Sequence, residues 1–163
     1  MTDHSPRLFA SDADIIACAQ GMIACTLPRE AWTHEAHLGA TCWIVRDRAD
    51  IAPERDMPGL IRRYNESLGG RNTESEGYHE TITQAYLAGI RAHLSERDTG
   101  EALLNCVNAL LQSERGRRDW PLRFYSQDLL FSVEARLGFA APDLAPLPNF
   151  PVDYSAFAVR LTL

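Results

Sequence analysis

The stretch EALLNCVNALLQ, residues 101–112, decides the class of fold. Its apolar residues Leu103, Leu104, Val107, Leu110 and Leu111 recur at intervals of three and four. That is the period of one face of an α-helix, not the two-residue period of a half-buried strand. Asp98 and Glu101 have the spacing of a capping box and predict where this helix opens. The same period extends outward. Downstream, Ser126 is the predicted N-cap of a helix running through Leu137, before Gly138. Upstream, a helix is expected over residues 78–95, behind the polar loop GGRNTESEG. Another starts near Pro58, a good first helical residue, carries Leu60, Ile61, Tyr64 and Leu68 on one side, and ends at Gly69 and Gly70. Two more are expected over residues 29–46 and 12–25, the latter stopping before Pro28. With no long alternating run and no Asn-Gly or Asp-Gly turn, the chain reads as all-α, a single-domain bundle of about six helices spanning residues 1–163. Residues 1–10 are expected to be flexible. The proline-rich tail from residue 140 to 163 cannot be helical and is expected to lie as an extended strap over the bundle.

A chain of 163 residues, 45% hydrophobic and 23% charged, can bury one sizeable core. The formal charge of -6 argues against a general nucleic-acid or anionic-membrane surface, both of which need clustered positive charge. The only basic cluster, Arg115, Arg117 and Arg118, is flanked by Glu114 and Asp119 and reads as a solvated loop. The first residues, MTDHSPRLFASDAD, lack a basic n-region and an apolar stretch, and the apolar run around Gln20 is too short to span a bilayer, so a cytoplasmic location is expected. Cys18 and Cys25 would lie about 10 Å apart along one helix, too far for a disulfide. With no CxxC pair, all four cysteines are expected to be reduced.

The candidate site is the run AWTHEAHLGA, residues 31–40. At 100° per residue, His34, His37, Glu30, Thr41, Val45 and Leu38 fall on one side of the helix, and Trp32, Ala36 and Trp43 cover the other. The same projection places His79 with Ile82, Thr83, Tyr86 and Ile90. His93 would lie about 21 Å farther along and cannot join it. His34, His37 and His79 therefore form the expected ligand set for one divalent transition metal, zinc or iron. A vacant position on such an ion suits metal-activated water or dioxygen chemistry on a small polar organic molecule. Glu80 is the preferred acid or fourth ligand, with Glu30 behind it. Thr41, Tyr78, Thr83 and Arg136 are the expected substrate contacts, the last through a bidentate grip on a carboxylate. The sequence THEAH is not the HExxH of metalloproteases, because its histidines are only three apart. A metal-free small-molecule-binding module, with the histidines as hydrogen-bond donors, is the second reading. An assembly subunit with core histidines is the third, and a homodimer is left open.

The segments Trp32-Thr33-His34-Glu35-Ala36-His37-Leu38, Gly77-Tyr78-His79-Glu80-Thr81 and Phe124-Tyr125-Ser126 through Leu130-Phe131-Ser132 together resemble a group of small bacterial all-α proteins carrying WTHxxHL and GYHET motifs. The likeness covers about residues 28–147. It implies that the two histidine motifs work as one unit, and no activity carries over with it.

Overall fold

The helical period of the sequence becomes, in a computed structural model describing residues 4–148, seven α-helices and three 3-10 turns, with no strand among those residues. The helices are α1 (Asp12–Ile23), α2 (His34–Asp47), α3 (Pro53–Ser67), α4 (Glu80–Ser95), α5 (Leu103–Gln112), α6 (Gln127–Leu130) and α7 (Val133–Leu137). None is long and apolar enough to cross a membrane. The α2 helix is central, as its nearly all-round apolar surface predicts, and packs against α1, α3, α4 and α5. Its Leu38, Ala40, Cys42 and Ile44 are buried with Leu103, Cys106, Val107, Leu110 and Leu111 of α5 in the main core. The four cysteines are free thiols.

Several helix starts differ from expectation, each for a local reason. The α2 helix begins at His34 because Thr33 caps it, its hydroxyl accepting from the Ala36 N–H at 3.1 Å. Residues Arg29–Ala31 form a separate 3-10 turn, so Glu30 is off the histidine face. The α3 helix starts five residues earlier than Pro58, at Pro53, where a missing N–H costs nothing. Asp56 also accepts from the Ala52 N–H at 2.9 Å, holding the preceding residue in place. Pro58 then sits inside the helix and leaves the Glu54 carbonyl without its usual i+4 donor. The Gln84 side chain on α4 replaces it, donating from Nε2 to that carbonyl at 3.1 Å.

Asp98 and Glu101 do not form a capping box. Glu101 is ion-paired to Arg97, and Asp98 accepts from the Gly100 N–H at 3.0 Å. The α5 helix is capped from a distance instead, the Asp12 carboxylate accepting from the Leu104 N–H at 2.7 Å. The expected sixth helix is broken in two, because Ser132 restarts it: Ser126 caps α6 and Ser132 caps α7, accepting from the Ala135 N–H at 3.2 Å. Ser132→Ala is expected to lower stability by about 1 kcal/mol in urea unfolding, the ordinary cost of a lost N-cap.

Both ends of the described chain are tied down. Of residues 1–10, residues 1–3 lie outside the described residues, and residues 4–10 make packed contacts: Phe9 exchanges two hydrogen bonds with the Asn108 side chain, at 2.9 and 3.0 Å, and His4 Nε2 donates to the Leu111 carbonyl at 2.8 Å. After α7 the chain runs without helix or strand, through bends, to residue 148. Tyr125 donates to the Ala140 carbonyl at 2.7 Å, the Leu144 N–H donates to the Phe124 carbonyl at 2.9 Å, and Leu147 is buried beside Trp120 in a second core. Residues 149–163 of the expected strap lie outside the described residues.

Candidate functional site

The N-terminal halves of α2 and α4 converge on two joined clefts, about 440 and 360 Å³ in volume. Trp32, His37, Ile61, Ile82 and Thr83 line both. Tyr78 and His79 belong to the larger one; His34, Thr41, Tyr86 and Arg118 belong to the smaller. The helix projections thus bring His34, His37, Thr41 and Thr83 to one place, as expected. Thr41 donates its hydroxyl to the His37 carbonyl at 2.6 Å, the back-bond of a threonine one turn along a helix.

The three imidazoles are bonded differently. His79 is the N-cap of α4: its Nδ1 accepts from the Ile82 N–H at 3.1 Å, and its Nε2 faces the Leu130 carbonyl at 2.8 Å. A carbonyl only accepts, so Nε2 carries the proton and the ring is the neutral Nε2–H tautomer with both nitrogens engaged. Burial lowers its pKa below the ordinary histidine value, as it must for a neutral cap. His34 likewise donates from Nε2 to the Gly116 carbonyl at 2.8 Å and meets the Tyr86 ring edge-on, centroids 5.7 Å apart. Its pKa is lowered first by burial and also by the Arg118 charge, against the opposing effect of the Gly116 bond.

His37 differs from both. Its ring stacks on Trp32 with centroids 3.9 Å apart and makes no side-chain hydrogen bond among the described residues. It is half-buried and faces the clefts. Burial, then the neighbouring His34 and Arg118, push its pKa down to about 3, so it is neutral at physiological pH.

The expected metal set does not fit these side chains. A ligand nitrogen must offer a lone pair, and His79 has spent its only one on the Ile82 N–H. No group of three His, Cys, Asp or Glu among the described residues is placed to hold an ion. The acids are elsewhere too. Glu80 is buried but turned into α4's own packing, accepting from the Tyr78 hydroxyl at 2.7 Å and from Gln84 Nε2 at 2.9 Å, and it lines neither cleft. Glu30 is exposed on its 3-10 turn and lines neither cleft. Arg136 grips no carboxylate; its Nη1 donates to the Gly77 carbonyl at 2.9 Å and fastens the loop before α4 to α7. Tyr78 lines the larger cleft with its ring under the Arg62 guanidinium, 4.6 Å from the centroid, while its hydroxyl is committed to Glu80.

Two residues of the site escape the sequence reading. Trp32 follows the 3-10 turn instead of standing on the far side of a helix, and this swings its ring onto His37. Arg118 faces the smaller cleft although its cluster reads as a solvated loop. Its neighbours do behave that way: Arg115 pairs with Glu96, Arg117 with Asp119 and Arg123 with Glu114, whereas Arg118 makes no ion pair among the described residues. No pattern in SERGRRD distinguishes the one from the others. Comparison of the chain with protein-family models, with curated proteins and with solved structures finds no match.

Proposed function

We propose that this chain is a metal-free binding module for a small organic molecule, held in the clefts between α2 and α4. The observation that carries the reading is His37. Its ring is open to the clefts, and the Trp32 Nε1 of the ring stacked on it is buried with no hydrogen-bond partner among the described residues, an arrangement that is costly to maintain. The imidazole is held neutral, stacked on Trp32, and presented where two cavities meet. A neutral imidazole offers one donor and one acceptor to a ligand. Thr83, on the shared wall, adds a hydroxyl. The cavities fall within or near the volume range of ordinary ligand pockets, and apolar and aromatic side chains supply much of the lining. His34 and His79 serve the module by tying α2 and α4 to neighbouring backbone, which fixes the cleft walls.

The test is a ligand-observed NMR screen of small polar fragments in the presence of excess chelator, with the assigned Trp32 indole resonance as the protein-side reporter. Fragments that bind, shift Trp32, and lose at least about tenfold in affinity in His37→Ala, with the far-UV circular dichroism unchanged, are the expected result. Binding that appears only after zinc or ferrous iron is added, binding indifferent to His37→Ala, or no binding at all overturns the reading.

A further inference from the structure

We infer that the molecule taken by the smaller cleft is a monocarboxylic acid with an apolar body, its carboxylate at Arg118 and its body among Trp32, Ile61, Ile82, Tyr86 and Ile90. The inference rests on the binding reading above and names the chemistry of the ligand.

Charge distribution is the first argument. The chain carries a net charge of -6, yet no aspartate or glutamate lines the smaller cleft. The one formal charge there is Arg118, which makes no ion pair among the described residues while the arginines around it are matched to carboxylates; Glu35 and Asp119 share a neighbouring cleft with it and do not line this one. Both histidines of this cleft are held neutral, in part by Arg118 itself, so they add donor and acceptor sites without adding charge. A cationic ligand would meet repulsion and no counter-charge. An anionic one meets a guanidinium whose planar fork matches a carboxylate.

The second argument separates a carboxylate from a phosphate. The walls are chiefly aliphatic and aromatic, and the donors facing the anion are one guanidinium, an imidazole N–H and the Thr83 hydroxyl. A dianionic phosphate would leave charge uncompensated at such a wall, because the protein supplies too few hydrogen bonds to replace its water. A monoanion needs only the guanidinium and can bury an apolar body in the rest. The cleft, about 360 Å³, is large enough for a single ring or a short branched chain.

Benzoate and benzamide share a ring and differ in charge, which makes them the probes. Titration calorimetry at low ionic strength is expected to show benzoate binding about tenfold or more tightly than benzamide, with no detectable binding of inorganic phosphate. In Arg118→Gln, an exposed position where the fold is not at stake, the two ligands are expected to bind equally; Arg118→Lys should restore part of the preference. Equal affinity for benzoate and benzamide in the native protein would overturn the carboxylate inference while leaving the binding module standing. Tighter binding of phosphate than of benzoate, an Arg118→Gln variant that keeps the full preference, or no benzoate binding would overturn it as well. Failure of the module itself is read separately, from the fragment screen and His37→Ala.

Discussion

Gly77→Ala is expected to destabilise the protein by about 3 kcal/mol and to abolish fragment binding in the larger cleft. Gly77 has φ +80, a left-handed conformation that an L side chain adopts only at a cost. A Cβ built there would lie 2.2 Å from the Arg71 carbonyl oxygen and 2.7 Å from Asn72 Oδ1, so backbone as well as side chain must move. The loop has little freedom to move. Asn72 Oδ1 accepts from the Tyr78 N–H and from Asn65 Nδ2, both at 3.0 Å, and its Nδ2 donates to the Arg62 carbonyl at 3.1 Å. Arg136 holds the Gly77 carbonyl itself. Displacing Gly77 therefore disturbs the residues that deliver Tyr78 to the cleft and His79 to the start of α4. Urea unfolding monitored by circular dichroism should show a lowered midpoint with an unchanged slope. Gly59→Ala is the control: it lies exposed within α3, an added Cβ there meets nothing within 4 Å, and helix propensity predicts a gain of up to about 1 kcal/mol. Equal behaviour of the two variants would remove the special role given to the Gly77 turn.

The legible and illegible parts of this molecule divide along a physical line. Residues whose position follows from the period of their own helix were placed correctly, including the buried stripe of α5, the central α2 and the shared face of His34, His37 and Thr41. Features set by residues distant in sequence were not. The α5 cap is Asp12, 92 residues away, and the donor that tolerates Pro58 inside α3 is Gln84, neither of which has a local signature. His79 points inward as its helix face predicts, but its place at the helix start is a capping geometry and not a free ligand geometry. Histidine is not among the usual N-cap residues, so the residue type gives no signal of the cap. Trp32 and Arg118 reach the site through short 3-10 turns, whose direction no hydrophobic period encodes.

Acid should weaken the native fold through His37 more than through any surface group. In the unfolded chain its imidazole has the ordinary value of about 6.5. In the folded chain burial against Trp32, with His34 and Arg118 adding to it, holds the value at about 3. Below pH 6.5 the unfolded state therefore binds a proton that the native state refuses, and stability falls as pH falls, levelling off only near the folded value. Above pH 7 the ring is neutral in both states and contributes no slope. One proton is worth about 1.4 kcal/mol per pH unit. With allowance for water in the clefts, the native protein is expected to lose about 2 kcal/mol between pH 6.5 and 4 relative to His37→Phe, which keeps a ring against Trp32 and cannot titrate. Urea midpoints measured across that range for both proteins decide the matter. Parallel pH profiles would mean that His37 is protonated as readily in the fold as out of it, and that a charged ring, not a neutral one, faces the ligand.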